Sequence, residues 1–83
     1  MRIALDFDGT YTADPYLWDR FIEMCRDRHD IWCVTMRYPH EEAEISIPVI
    51  YTSRKAKKIY CEEKGIHFDI WIDDCPEWLF KDG

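Results

Sequence analysis

Four short apolar runs constrain this chain most: Ile3 to Leu5, Ile31 to Val34, Pro48 to Tyr51, and Ile70 to Ile72 with Phe68 beside it. None alternates polar with apolar residues, and Ile and Val are prominent in them, as in strands covered on both faces. Between the first two runs, Asp14-Pro15 forms an N-cap followed by the favoured first-turn proline. Leu17, Trp18, Phe21, Ile22 and Cys25 then recur at helical spacing, which predicts a helix from about Pro15 to Arg28. Between the last two runs, Ser53 can cap a helix ending near Gly65, with Ala56, Ile59 and Tyr60 on its apolar face and Gly65 at the left-handed terminating position. The stretch from Pro39 to Ser46 has room for one helical turn, and Pro76 to Phe80 for a short closing helix. Strand, helix, strand, short crossover, strand, helix, strand predicts an α/β fold. It would be a single small open parallel sheet of about four strands with flanking helices, Rossmann-like, with right-handed crossovers. The chain has 83 residues, so residues 1–83 are expected to form one domain. Apolar residues at 47% and aromatics at 16% supply a compact core and argue against disorder.

The carboxyl ends of the runs carry Asp6, Thr35, Thr52 with Ser53, and Asp73. In an open parallel sheet that edge is where ligands bind, because loops and helix N-termini converge there. Asp6-x-Asp8 and Asp73-Asp74 would bring carboxylates from different strands together, and like charges so close need a cation. Mg²⁺ takes oxygen ligands, using one or two carboxylates plus water and substrate phosphate. Lys55 and Lys58, at the start of the expected helix, could balance a phosphate dianion. Thr35 could donate a hydroxyl hydrogen bond to a phosphoryl oxygen, and the Phe7 to Thr10 loop could offer backbone amides. Together these are the parts phosphoryl transfer needs. A carboxylate held in line can also act as the nucleophile, through an acyl phosphate.

Each part has a bland alternative. Asp8-Gly9 alone is also a turn motif, Asp74 can cap a helix opening at Pro76, and Thr35 in isolation is an ordinary strand residue. Arg54-Lys55-Ala56-Lys57-Lys58 would usually be a solvated helix face. The net charge of −6, from 17 acidic and 11 basic residues, opposes unaided nucleic-acid binding. A nucleic acid therefore enters only as a phosphorylated substrate. Cys25, Cys33, Cys61 and Cys75 form no C-x-x-C or C-x-x-H pair, so zinc is not indicated. They are expected to be reduced core residues, as are the tryptophans. His29, His40 and His67 have no metal-ligand spacing. No signal peptide is recognised and no apolar run approaches the roughly 20 residues of a membrane span, so a cytoplasmic, soluble chain is expected. Trp78-Leu79-Phe80 can pack on the sheet or against a second subunit, which leaves a homo-oligomer open.

Asp6-Phe7-Asp8-Gly9-Thr10 after a short apolar strand, Thr35 ending the second, a lysine opening the later helix, and Asp73-Asp74 ending the last strand appear in this order. The set resembles the four ordered motifs of the haloacid dehalogenase-like (HAD-like) phosphatases, across the whole chain. The resemblance implies that Asp6 attacks phosphorus and forms an aspartyl phosphate, and that Asp8 is the general acid and base. It also implies Mg²⁺ held by Asp6, the main-chain carbonyl of Asp8, Asp73 and Asp74, with Thr35 holding the phosphoryl group. For the lysine, Lys55 in the first helical turn is favoured, with Lys58 one turn on. Lys57, about 100° away around the helix, is the least suited. Unlike most members of that family, the chain has no room for a cap domain after the first or second strand. That leaves the site open to large or polymeric phosphorylated substrates, with Tyr11, Arg37 and Tyr38 as local substitutes for a lid and Arg37 close enough to touch the leaving group.

Three other functions compete with this one. An EF-hand needs a further acidic or amide ligand at Thr10, Gly at Tyr11 and Glu at Leu17, and none of the three is there. A phosphoacceptor signalling domain usually has its acidic pair before the acceptor, the reverse of the order here. A HAD-like module that is weakly active or inactive, and binds a phosphorylated partner or another subunit, stays open.

Overall fold

The computed structural model describes all residues, Met1 to Gly83. Its elements are β1 (Arg2–Leu5), α1 (Pro15–Cys25), β2 (Asp30–Thr35), β3 (Val49–Tyr51), α2 (Lys57–Glu63) and β4 (Ile70–Ile72), with short 3₁₀ turns at Tyr11–Ala13 and Pro76–Leu79. The four strands form one all-parallel sheet in the order β3-β2-β1-β4. This is the α/β architecture expected from the apolar runs, with no inserted domain. No helix is long and apolar enough to cross a membrane.

Successive strand residues face opposite sides, so the sheet buries two clusters. Ile3, Leu5, Ile31 and Cys33 pack with Ile22 and Cys25 of α1 on one side. Ala4 and Val34 pack with Cys61 of α2 and with Phe68 on the other. Asp14 does cap α1, accepting a hydrogen bond from the Leu17 amide at 3.1 Å, and Pro15 follows it. The helix stops at Cys25 rather than Arg28. Beyond Cys25 there is no apolar side chain to bury, and the Arg28 and His29 amides both turn back onto the Cys25 carbonyl. Leu17 lies exposed instead of on the buried face.

Two other expectations change. Pro39 to Ser46 forms no helical turn. Arg37 holds the carbonyls of Glu41 and Glu42, the Tyr51 hydroxyl accepts from the Ala43 amide, and Ala43 and Ile47 join the α1-side core. Irregular chain thus covers the sheet where no helix is present. Helix α2 begins at Lys57, not at Ser53, because Ser53 and Arg54 are left-handed, with φ of 53° and 69°. Gly65, at φ 74°, ends that helix region as expected. Cys25, Cys33 and Cys61 are buried and Cys75 is half-buried, all four as free thiols. The tryptophans are only half-buried.

Candidate functional site

Strand register builds the site. Leu5 pairs with Ile72, so the next residues, Asp6 and Asp73, leave the same sheet edge side by side, and the Asp6 amide donates to the Ile72 carbonyl at 2.9 Å. Both continue the strand alternation onto the side that α2 covers, through Ala4 and Trp71. Lys57, the first residue of α2, therefore projects between them. Its Nζ lies 2.7 Å from Asp6 Oδ1 and 2.6 Å from Asp73 Oδ2, with all three side chains at most 6% exposed. The Thr10 hydroxyl lies 3.0 Å from both Asp6 Oδ2 and Asp74 Oδ1, and accepts from the Asp74 amide at 3.1 Å. The Cys75 amide donates to Asp73 Oδ1.

This places a different lysine at the carboxylates than the sequence suggests. Lys55 is exposed, 3.9 Å from Asp82, and Lys58 pairs with Glu62 along the helix. A helix phased from Ser53 would turn Lys55 and Lys58 toward the strand ends, but the helix starts at Lys57. The actual start is set by the left-handed Ser53-Arg54 pair, by Thr52 Oγ donating to the Lys55 carbonyl, and by Asp82, which accepts from the Ala56 amide at 2.8 Å. Helix phase then turns Lys57 inward.

The carboxylates differ in electrostatics. Burial, then the neighbouring Asp73 charge, pushes Asp6 up to about 6 despite the opposing pull of Lys57. Burial disfavours charge on Lys57, yet its bonds to Asp6 and Asp73 outweigh that and hold the ammonium above its ordinary value. Asp8 stands at the rim. Arg37 grips it with two hydrogen bonds, Nε to Oδ2 at 2.9 Å and Nη2 to Oδ1 at 2.8 Å. Those bonds hold its carboxyl below the ordinary value. The same guanidinium lies over the Phe7 ring.

Asp6, Asp73 and Asp74 offer carboxylate oxygens within 4.8 Å of one another. Three carboxylates against the one Lys57 ammonium leave two negative charges, Asp8 being neutralised by Arg37. One divalent cation balances that, and an all-oxygen donor set suits a hard ion such as Mg²⁺. These residues also line a cavity of about 600 Å³, with Asp8, Thr35, Met36, Arg54, Cys75, Trp78 and Gly83. Thr35 is buried, and its Oγ accepts only a long 3.3 Å bond from the Arg37 amide.

Of the residues singled out from sequence, Asp6, Asp8, Thr35, Asp73 and Asp74 converge, while Lys55 and Lys58 do not. Tyr11 is not a lid. It is buried, stacks on Phe7 and donates its hydroxyl to Asp19. Tyr38 is exposed, beside His40 and the Arg54 guanidinium. The sequence ranks Lys57 last and gives no reason to place Met36, Arg54 and Trp78 at the site, since only tertiary packing brings them here. The fold and site define a small parallel α/β domain with a carboxylate and lysine centre at its strand ends. No family model, no curated protein and no solved structure matches the chain.

Proposed function

We propose that the chain is a Mg²⁺-dependent phosphomonoester hydrolase working through an aspartyl phosphate. The observation that carries this is Lys57 bridging Asp6 and Asp73 inside a cavity that also holds Asp8, Asp74 and Thr35. The order of these residues, which resembles the HAD-like phosphatases, supports the same function. In the first step an Asp6 oxygen attacks phosphorus, the bond from phosphorus to the ester oxygen breaks, and Asp8 gives that oxygen a proton. Water then attacks the acyl phosphate, Asp8 takes its proton, and the bond between phosphorus and Asp6 breaks to release phosphate. Lys57 and the Thr35 hydroxyl hold phosphoryl oxygens, and Lys57 also fixes the nucleophile. Bound at Asp6, Asp73 and Asp74, Mg²⁺ would supply positive charge against the developing charge on the phosphoryl group.

The test is phosphate release from 4-nitrophenyl phosphate with and without Mg²⁺. Turnover that needs Mg²⁺ and is lost in Asp6→Asn is expected. No turnover by pure protein with Mg²⁺, or full turnover by Asp6→Asn, would sink the function. One observation favours a second function, a module that binds a phosphorylated partner without turning it over: Arg37 occupies both oxygens of Asp8, the intended proton donor. Tight binding of aryl phosphates with no phosphate release would select it.

A further inference from the structure

Asp6, Asp8, Thr35, Lys57, Asp73 and Asp74 are only part of the cavity lining. The remaining lining residues come from three chain segments tied together by main-chain bonds. The Arg54 amide donates to the Met36 carbonyl at 2.8 Å, and the Gly83 amide donates to the Arg54 carbonyl at 2.8 Å. Arg54 can serve both neighbours because its backbone is left-handed, at φ 69°. This conformation is costly for a residue with a Cβ. Gly83 in turn sits between the side chains of Met36 and Trp78. A Cβ on it would lie 3.2 Å from Met36 Sδ and 3.8 Å from Trp78 Cζ3. Met36, Gly83 and Trp78 thus adjoin one another as a wall of the same cavity that the carboxylates line, and Cys75 also lines it. Lys81 lies over the Trp78 ring, 4.9 Å from its centroid, and pairs with Glu77, so the indole is steadied from outside the cavity lining.

We propose that this wall receives the organic part of the substrate, and that the substrate class is small phosphomonoesters carrying a planar aromatic or heteroaromatic ring. The proposal rests on the phosphatase function above. A thioether and an indole offer polarisable contact to a flat ring, whereas a polyhydroxylated group would leave its hydroxyls unpaired against them. A cavity of about 600 Å³ suits a small molecule rather than a phosphate ion alone.

Because aryl esters are intrinsically more reactive, the test compares variants and not substrates. For 1-naphthyl phosphate, Trp78→Ala is expected to raise KM about tenfold with kcat changed less than KM. For glycerol 1-phosphate the rise in KM should be much smaller, and Trp78→Phe should restore most of the lost naphthyl affinity. If Trp78→Ala folds poorly, Trp78→Phe against Trp78→Leu reads the same difference. Adenosine 5′-monophosphate extends the series to a ring set back from the phosphate. Sensitivity to Trp78 there includes heteroaromatic bases, and its restriction to the naphthyl ester narrows the class to rings bonded directly to the ester oxygen. Equal KM changes for naphthyl and glycerol esters would overturn the proposal. So would a 5′-phosphorylated oligonucleotide turned over with lower KM and no dependence on Trp78. Calorimetry on the Asp6→Asn protein separates the two levels. Hydrolysis without preferential binding of the naphthyl compound overturns the wall and leaves the phosphatase. Preferential binding that Trp78→Ala erases, with no hydrolysis by the unmodified chain, overturns the phosphatase and leaves the wall.

Discussion

Asp6 and Asp8 are two residues apart in sequence, yet they occupy opposite settings. Asp6 belongs to a buried floor with Asp73 and Lys57, each side chain at most 6% exposed. Asp8 belongs to a rim, where its own side chain is 56% exposed and its partner Arg37 28%. In the floor, charges have lost their water and depend on one another, so removing one partner strands the others. At the rim water competes for each contact, and an ion pair contributes little beyond geometry. The difference suits two tasks, a floor that holds fixed charge against phosphorus and a rim whose carboxylate can exchange partners and protons.

The largest effect should come from breaking the floor. Lys57→Met leaves two buried carboxylates facing each other. The expected loss is about 3–5 kcal/mol, a large share of a total near 5–15 kcal/mol, together with turnover. Lys55→Met and Lys58→Met should each change stability by no more than about 0.5 kcal/mol. Urea denaturation of the three proteins checks this. If Lys57→Met were as mild as the others, the buried bridge would not be the organising contact. Adding Asp6→Asn to Lys57→Met should recover part of the loss, because the stranded charge is then removed.

The rim should respond less, and unequally. The Arg37 side chain makes four hydrogen bonds, two to Asp8 and one each to the Glu41 and Glu42 carbonyls, and lies over Phe7. Arg37→Met therefore also releases the segment after β2, and about 1–2 kcal/mol is expected. Asp8→Asn removes only the exposed pair and should cost at most about 1 kcal/mol, while abolishing efficient turnover. Equal losses for the two variants would mean that Arg37 acts through Asp8 alone.

The floor was half legible before the structure was known. Short Ile- and Val-rich runs specify a buried parallel sheet because strands covered on both faces must be apolar throughout, and strand ends then locate Asp6, Thr35 and Asp73. Asp14-Pro15 marked the start of α1 because capping is local chemistry, readable from adjacent residues. Lys57 was not readable. Its orientation depends on the left-handed Ser53-Arg54 pair, neither of them glycine, and on Asp82 reaching back to the Ala56 amide from the other end of the chain. The wall of Met36, Gly83 and Trp78 was hidden for the same reason, since three segments meet there through packing and main-chain bonds. The sequence shows Arg37 only as a residue near Thr35. Its grip on Asp8 follows from the fold of the segment after β2.

The effect that most sharply separates floor from rim is the pH dependence of stability without divalent cations. Asp6 has its folded pKa raised to about 6, above the unfolded value, so the native state binds its proton more tightly. Its contribution therefore grows as pH falls from 7 through 6. Lys57 is held above its ordinary value, so its contribution is already complete throughout that window. Asp8 is depressed, and its contribution persists until pH falls below the ordinary carboxylate range. Between pH 7 and 5 Asp6 is thus the only one of the three that titrates. The midpoint of thermal unfolding should rise by a few degrees from pH 7 to 5 relative to Asp6→Asn, which lacks the titrating group; about 1 kcal/mol corresponds to roughly 4–8 °C in a domain of this size. Mg²⁺ at millimolar concentration should reverse the sign, raising the midpoint at pH 7 more than at pH 5, because a metal ligand must be ionised. Parallel slopes for the two proteins would mean that the Asp6 charge carries no penalty in the floor, and the division between floor and rim would lose its electrostatic basis.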